Sequence, residues 1–299
     1  MQTGQGSGGW DDIARVSVIG ARGMLGSTLV EVLAGKAEMV GAPGVQVDAA
    51  DIDEVDITRQ SSVEAYLADR RPDLVMNCAA YTDVDGCEKE TELAMAVNGV
   101  GPGHLAQVCV KQGSRLVHVS TDFVFDGCSP RAYRPDDEPS PLSVYGLSKL
   151  TGERAVQAGG DEHLIVRTSW LFGRSGKHFV STIRRLAGER DHLDVVDDQV
   201  GSPTYADDLA CAMVWLVEAR ARGVYHFRNE GHCSWYDFAQ AIVAEFGLRA
   251  DIRPIKSEQL ARPAIRPPWS VLDIARYKQS TGQSVRSWQA ALAAYAANV

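Results

Sequence analysis

The sequence predicts an α/β protein with a doubly wound parallel sheet and a smaller C-terminal lobe. Up to residue 172, short apolar runs rich in β-branched residues alternate with helical patterns, which is typical of parallel strands joined by crossover helices. Three regularly spaced glycines follow the first apolar run. After residue 172 the alternation weakens. Residues 13–172 are therefore predicted to form the sheet domain, and residues 173–299 most of a substrate-binding lobe.

The first strand and the glycines after it carry the clearest signal. Residues 13–19 are predicted as a buried strand and residues 25–33 as a helix, with Gly20, Gly23 and Gly26 at the junction. The first glycine permits a tight turn, the second lets the backbone approach a pyrophosphate, and the third lets the helix pack on the strand. The pattern predicts a Rossmann-type dinucleotide-binding turn, with cofactor-binding candidates Gly20, Arg22, Gly23, Met24, Leu25 and Gly26.

The next acidic positions are expected near the adenosine end of the dinucleotide. Asp48 and Asp51 follow the second predicted strand, where an acid can bind the adenosine ribose. Arg22 is an alternative contact for a 2′-phosphate, so the choice between NAD and NADP stays open. Asp56 and Ile57 are predicted to end another strand near the adenine.

A strand predicted at residues 72–80 ends in the small residues Cys78, Ala79 and Ala80. Small residues at the carboxyl end of a strand let a cofactor lie against the backbone, as expected at the crevice of a doubly wound sheet. Tyr81 opens the loop that follows this strand. These four residues are therefore further cofactor-binding candidates.

The remaining elements follow from periodicity and from the positions of glycine and proline. Further strands are predicted at residues 45–47, 115–120, 163–168 and 224–227. Helices are predicted at residues 61–69, 88–113 with a break at 99–103, 142–157, 178–187, 206–218, 234–245 and 285–297. We expect residues 205–228 to return to the main sheet and residues 1–12 to form a flexible leader. Asn98, in the broken helix, is either a surface polar group or a strut that bonds the neighbouring backbone.

Tyr145 and Lys149 are four residues apart in a predicted helix, so their side chains share one face. A cation beside a phenol lowers the pKa of the phenol, which would suit Tyr145 to donate and accept a proton near neutral pH. Thr121, at the end of a predicted strand, is placed to hold the oxygen that changes charge. Together these catalytic candidates predict reduction of a carbonyl to an alcohol with hydride from a nicotinamide.

The bulk properties narrow the classes of function. The formal net charge is −9 and the pI about 5.3, which argues against nucleic acid or an anionic membrane surface as the partner. No apolar run is long enough to span a membrane, and the N-terminus lacks the features of a signal peptide. Six cysteines without a C-x-x-C pair predict free thiols, a cytoplasmic protein and no metal site.

Taken together, the motifs resemble the dTDP-4-dehydrorhamnose reductase family of the extended short-chain dehydrogenase/reductase superfamily. They follow the family order across nearly the whole chain after residue 13, and the set is far more specific than any one motif. The matching segments are residues 20–26 (GARGMLG), 56–58 (DIT), 77–85 (NCAAYTDVD), 96–98 (AVN), 120–127 (STDFVFDG), 145–149 (YGLSK), 167–170 (RTSW), 198–204 (DQVGSPT), 231–238 (GHCSWYDF), 266–267 (RP) and 270–273 (SVLD).

The resemblance implies reduction of dTDP-4-dehydro-L-rhamnose to dTDP-L-rhamnose with NADPH or NADH. It implies that Tyr145 gives a proton to the C4 oxygen, that Lys149 binds the nicotinamide ribose and tunes Tyr145, and that Thr121 completes the triad. Trp170 would form an apolar wall for the deoxysugar or simply pack in the core. The resemblance leaves Mg²⁺ and a homodimer open, and the sequence points to neither. Positions that match the sugar pocket are Thr82, Val84, Ser120 and Trp170.

Two positions depart from the family pattern. Phe123 stands where the family usually has Tyr, so this substrate-binding position lacks a hydroxyl, and the change bears on which sugar is reduced. Met24 stands where the family often has Gln. The second change should matter little, because glycines and backbone N–H groups bind the phosphates.

Three alternatives stay open. A reductase of another dTDP-4-keto sugar would share the fold and the triad and would differ near Phe123 and at residues 126–139, so rates on a panel of sugars distinguish it. A dehydratase or epimerase usually has Glu after Asp122, where this chain has Phe123, and would retain its cofactor during purification. A non-catalytic subunit, like the regulatory subunit of methionine adenosyltransferase, would not need an intact triad and would co-purify with a synthetase.

Overall fold

The computed structural model describes residues 9–35 and 44–299. Its strands in chain order are β1 (Arg15–Ile19), β2 (Gln46–Ala50), β3 (Leu74–Asn77), β4 (Arg115–Thr121), β5 (Leu164–Thr168), β6 (Leu171–Phe172), β7 (His192–Val196), β8 (Val200–Gly201), β9 (Thr204–Tyr205), β10 (Gly223–His226), β11 (Cys233–Ser234) and β12 (Asp251–Ile255). Its α-helices are α1 (Met24–Gly35), α2 (Gln60–Arg70), α3 (Val84–Lys89), α4 (Thr91–Ala94), α5 (Gly101–Gln112), α6 (Val144–Gly159), α7 (Phe179–Glu189), α8 (Ala206–Glu218), α9 (Trp235–Glu245), α10 (Ala275–Thr281) and α11 (Trp288–Ala296). A π-helical turn spans Met95–Val100, and 3₁₀ turns span Asp122–Val124 and Ser257–Leu260.

Six strands form one parallel sheet in the order β2–β1–β3–β4–β5–β10. The chain passes from β1 to β2 on one side and then crosses to β3 on the other side of β1. The strand order therefore reverses between β1 and β3, and a crevice opens there at the carboxyl ends of the strands. This architecture confirms the predicted Rossmann-type α/β fold.

Helices cover both faces of the sheet because alternate residues of a strand point to opposite faces. Val16 and Val18 of β1 pack in one core with Leu29 of α1 and Leu209 of α8. Ile19 packs in the opposite core, with apolar residues of α2, α5 and α6. The strands are thus buried between two apolar cores, which hold their carboxyl ends in place.

The smaller lobe is built around a second core, in which α7, α9 and α11 pack against the parallel pair of β7 and β12. Phe172, Phe238 and Ile242 are almost fully buried there. Neither β7 nor β12 was predicted, and α10 was also missed. In both strands several residues are exposed, so the short apolar pattern is weak. Residues 205–228 connect to the main sheet, where β10 pairs with β5 and α8 packs against α1.

Three local predictions need correction. The first correction concerns the flexible leader expected at residues 1–12, of which residues 1–8 lie outside the described part of the chain. Trp10 is buried, and its indole N–H donates to the Val214 carbonyl at 3.1 Å. Gly9 and Trp10 therefore pack on α8, while residues 11 and 12 are exposed. Residues 56–58 form a turn rather than a strand, because Asp56 Oδ1 accepts hydrogen bonds from the N–H and the hydroxyl of Thr58. The predicted helix at 88–113 begins earlier, at α3, and its predicted interruption at 99–103 overlaps the end of the π-helical turn and the start of α5.

Candidate active site

A cavity of about 570 Å³ opens at the carboxyl ends of β1, β3 and β4. The glycine turn forms one end of it, and the smaller lobe forms the other. It brings together the three catalytic candidates and all five substrate-binding candidates. Its lining includes Gly23, Met24, Leu25, Gly26, Cys78, Ala80, Thr82, Val84, Ser120, Thr121, Asp122, Phe123, Tyr145, Lys149, Trp170, Lys177, His178, Phe179, Trp235 and Arg266.

The turn between β1 and α1 needs glycine at two positions for steric reasons. Gly20 has a φ of +79°, and a Cβ there would lie 2.5 Å from the backbone nitrogen of Ala79. A Cβ at Gly26 would overlap the carbonyl oxygen of Gly20. At Gly23 a Cβ would meet only the Gly20 carbonyl oxygen, at 3.3 Å, and the residue lines both cavities described here. The turn can therefore accept a phosphate close to its backbone, at the N-terminus of α1.

A second cavity, of about 270 Å³, adjoins the first and shares Gly23, Cys78 and Ala80 with it. The two cavities meet at the glycine turn, so a dinucleotide fits with its pyrophosphate at the shared residues and one nucleoside in each cavity. The second cavity is also lined by Gly20, Asp51, Asp56, Ile57 and Ala79.

Of the two acids proposed for the adenosine ribose, the structure brings Asp51 to the cavity. Its Oδ2 accepts a hydrogen bond from the Arg22 backbone N–H at 2.9 Å. The Arg22 side chain points to Asp53 instead, at 2.5 Å, and is well exposed. Arg22 and Tyr81 lie outside the lining of both cavities, unlike the other cofactor-binding candidates.

Tyr145 reaches the end of β4 because α6 starts beside that strand. Ser143 caps the helix by accepting a hydrogen bond from the Gly146 N–H at 3.2 Å. A side chain at Gly146 would overlap the Phe123 carbonyl, so glycine permits the close approach. The Tyr145 ring then meets the Phe123 ring edge-to-face, with centroids 5.5 Å apart, and its hydroxyl bonds with Thr121.

The electrostatics of Tyr145 correct one expectation. Burial raises the pKa of the Tyr145 phenol above its ordinary value, the hydrogen bond with Thr121 lowers it, and the Asp122 charge raises it again. The net effect is a raised pKa, so the prediction of a Tyr145 pKa lowered by Lys149 is wrong here. The Lys149 amino group instead donates to the Val119 carbonyl at 2.7 Å. A phenol with a raised pKa is protonated at neutral pH, which suits donation of a proton.

Asp122 is a cavity residue that sequence reasoning did not list as a site residue. It is buried, and its Oδ1 accepts a hydrogen bond from the Thr121 hydroxyl at 3.0 Å. Burial raises the pKa of Asp122 to about 6, although the hydrogen bond from Thr121 lowers it. Its place directly after Thr121 was the available signal. The carboxylate orients the Thr121 hydroxyl beside Tyr145.

Trp170 forms both an apolar wall and part of the lobe packing. Its ring stacks on Trp235, with centroids 3.5 Å apart and planes 6° apart. A side chain at Gly201 would overlap the Trp170 ring, so glycine leaves room for it. Trp170, Trp235 and Phe123 also line a further cavity of about 350 Å³ that Arg262 and Arg266 border. The site therefore continues from the catalytic residues along an aromatic wall toward two cations.

Asn98 is a strut that bonds the neighbouring backbone, which was one of the two roles predicted for it. Its Oδ1 accepts from the Tyr81 N–H at 2.8 Å, and its amide nitrogen donates to the Tyr81 carbonyl at 2.9 Å. The same nitrogen donates to the Ser148 hydroxyl on α6 at 3.1 Å. Asn98 thereby fixes the loop after β3 relative to the helix that carries Tyr145.

The large cavity also offers polar groups to a ligand. Among the described residues, the buried Ser120 Oγ and Thr168 Oγ1 have no hydrogen-bond partner, and both residues line the cavity. A polyhydroxylated ligand would satisfy such groups. No cluster of three His, Cys, Asp or Glu side chains within the described ranges could hold a metal ion. None of the helices in the described part of the chain is long and apolar enough to cross a membrane.

The glycine turn, the paired cavities and the Thr121–Tyr145–Lys149 group define a Rossmann-type oxidoreductase of the extended short-chain dehydrogenase/reductase class. A family model described as the RmlD substrate binding domain matches residues 14–299. The chain therefore belongs to that family.

Relatives and solved structures agree with this assignment. The chain is 44% identical over 286 residues to a dTDP-4-dehydrorhamnose reductase of Mycobacterium tuberculosis, covering 93% of this chain and 91% of that protein. It is 40% identical over 277 residues to a dTDP-4-keto-6-deoxy-D-glucose reductase of Streptomyces niveus, covering 92% and 94%. The crystal structure of a Bacillus anthracis dTDP-4-dehydrorhamnose reductase in complex with NADP superposes with a TM-score of 0.91, at 35% identity, covering 96% and 100%.

Proposed function

We propose that this chain reduces dTDP-4-dehydro-L-rhamnose to dTDP-L-rhamnose with NADPH or NADH, as the final step of dTDP-rhamnose biosynthesis. One observation carries the proposal. The Tyr145 hydroxyl, bonded to Thr121, faces the cavity that also holds the glycine turn and the sugar-pocket residues. Relatives that share most of this chain carry the same activity in their names.

The cofactor would be held by residues already described. The glycine turn and the N-terminus of α1 would bind the pyrophosphate, and Cys78 and Ala80 would lie against the dinucleotide. Asp51 and Asp56 would lie at the adenosine end. When bound, the reduced nicotinamide supplies a hydride.

The protein's own residues then control the proton. Tyr145 donates its hydroxyl proton to the C4 oxygen. The Thr121 hydroxyl, which donates to Asp122 in this structure, would turn its one proton from Asp122 to that oxygen to hydrogen-bond it. Lys149, whose pKa burial lowers to about 8, binds the nicotinamide ribose. Ser120 and Thr168 offer unpaired hydroxyl groups to the sugar.

A second candidate is a reductase of another dTDP-4-keto-6-deoxy sugar. Phe123, which lines both the catalytic cavity and the aromatic cavity, supports it because no hydroxyl is present at that junction. The Streptomyces niveus relative is named as a dTDP-4-keto-6-deoxy-D-glucose reductase, which is a reaction of this second kind. Both candidates use the same triad, so only the substrate separates them.

The test is the rate of NADPH oxidation with each of two sugars. We expect kcat/KM for dTDP-4-dehydro-L-rhamnose, generated in situ, to exceed that for dTDP-4-keto-6-deoxy-D-glucose by at least about 10-fold. A reversed preference would favour the second candidate. Absence of oxidation with either sugar, and with NADH as well, would contradict both and favour a non-catalytic subunit.

We also propose that the protein is cytoplasmic, forms a homodimer and has no nucleic-acid partner. The six free cysteines support the cytoplasmic location. The net charge of −9 supports the lack of a nucleic-acid partner. The homodimer is proposed only because some members of the family that the chain resembles are dimers.

A further inference from the structure

A buried polar chain runs behind the catalytic cavity from β3 to Lys149. Asn77 and His118 are fully buried, and Lys149 is 2% exposed. Asn77 and His118 are neighbours across the β3–β4 register, and Lys149 approaches them from α6. The roles proposed above use Lys149 alone of these three, so Asn77 and His118 have no part in them.

The backbone fixes the orientation of Asn77. Its Oδ1 accepts a hydrogen bond from the Ala79 N–H at 3.0 Å. Its amide nitrogen therefore faces His118 Nδ1, at 3.1 Å. An amide NH₂ group can donate but cannot accept. His118 Nδ1 must then accept a hydrogen bond and carry no proton.

The proton of the neutral His118 ring therefore lies on Nε2. Burial, and then the charge of Lys149, lower the pKa of His118 well below its ordinary value, so the ring is neutral at pH 7. Nε2 lies 3.5 Å from Lys149 Nζ, while Nζ donates to the Val119 carbonyl. The His118 Nε2–H group would face the N–H groups of a charged Lys149 ammonium, which is unfavourable. It can instead donate a hydrogen bond to the lone pair of a neutral Lys149 amine, so it favours the neutral form.

We propose that His118 is a positioning residue for Lys149: held by Asn77, it presents an N–H group that keeps the Lys149 amino group against the Val119 carbonyl. The contact lowers the pKa of the Lys149 amino group further than burial alone would. Glu153 on α6 and Cys78 beyond β3 act in the opposite direction on Lys149, because both raise its pKa. Only the effect on catalysis rests on the proposed function.

The substitution His118→Asn separates the two contacts of the ring. An Asn oxygen can still accept from Asn77, but no N–H group faces Lys149. The probe is NMR of the full-length protein labelled with ¹³C at lysine Cε, with the Lys149 signal assigned from a Lys149→Ala spectrum. The measured quantity is the pH midpoint of the Lys149 titration. We expect this midpoint to rise by about one pH unit in His118→Asn. An unchanged or lower midpoint would overturn the proposal.

A matched control is His163→Asn, which removes another buried histidine. His163 Nδ1 accepts from the Leu116 N–H, and Nε2 faces the Ala106 carbonyl, each at 3.3 Å. This variant should leave the Lys149 midpoint unchanged, and an equal rise would show that lost packing, not His118, sets the midpoint. If His118→Asn does not fold, Asn77→Leu takes its place. Leu adds no charge and removes the amide that keeps Nδ1 without a proton, so Nε2 no longer has to carry the proton and the midpoint should again rise.

The catalytic consequence has its own readout. If Lys149 acts as a cation during turnover, the alkaline limb of the kcat/KM profile for NADPH oxidation should move upward with the NMR midpoint in His118→Asn. If the alkaline limb of the kcat/KM profile stays in place while the Lys149 midpoint moves, His118 does not affect catalysis through Lys149. The NMR titration needs neither cofactor nor sugar. A protein inactive on every keto sugar would therefore refute the proposed function and leave the test of His118 standing.

Discussion

Tyr145 shows how three local features place one reactive hydroxyl. The Ser143 cap starts the helix, Gly146 lets it approach the segment after β4, and Thr121 bonds the phenol. Each feature is a single residue whose change would move the ring. Because burial keeps the phenol protonated, Tyr145 is ready to donate a proton in the reductive direction.

At this scale, Tyr145→Phe should reduce kcat by roughly 10²- to 10⁴-fold, the usual contribution of a general acid. Cofactor affinity should hardly change, because only the hydroxyl is lost. Stopped-flow rates and a fluorescence titration with NADPH measure the two quantities. Tyr236→Phe on α9 is the control. Its hydroxyl accepts a hydrogen bond from Gln240, and within the described ranges Tyr236 borders none of the three cavities. Turnover of Tyr145→Phe equal to that of the control would refute the proton-donor role.

At the scale of elements, α6 is the part on which the site depends most. It carries Tyr145 and Lys149 in its first turns and Glu153 one turn later. Glu153 forms a buried bidentate ion pair with Arg167 of β5, at 2.8 and 2.7 Å. Arg167 also donates to the Pro135 carbonyl and stacks over the Phe125 ring. The pair thus fixes the helix to the sheet and to the loop that follows β4.

Glu153→Gln should therefore destabilise the fold by about 3–5 kcal/mol, because it leaves the Arg167 charge buried without a counterion. Urea denaturation measures this difference. Glu189→Gln breaks an exposed ion pair with Arg185 and should cost less than about 0.5 kcal/mol. If the two variants lose similar stability, α6 is not anchored by the buried pair.

At the scale of the whole molecule, the site lies where the sheet domain and the smaller lobe meet. Gly23 and Tyr145 come from the first, and Trp235 and Arg266 from the second. Arg266 also forms an ion pair with Asp85 of α3, at 2.9 Å, so the two parts are joined across the cavity. The reaction therefore needs residues from both parts of the chain.

The same scale explains what the sequence could predict. The glycine turn and Tyr145 depend on local spacing, which is visible in the chain. Asp51 could not be separated from Asp48, because the choice depends on where β2 ends. Trp235 and Arg266 reach the cavity through long-range packing, which no local pattern reports. The raised pKa of Tyr145 was not predicted for the same reason, since the burial that raises it comes from tertiary packing.

The most direct test follows hydride into the sugar. The protein is incubated with dTDP-4-dehydro-L-rhamnose and NADPH deuterated at both C4 positions of the nicotinamide, and the product is examined by NMR. We expect dTDP-L-rhamnose with one deuterium at C4 of the sugar. Product without deuterium at C4, or unreacted sugar beside intact NADPH, would contradict the account of this site.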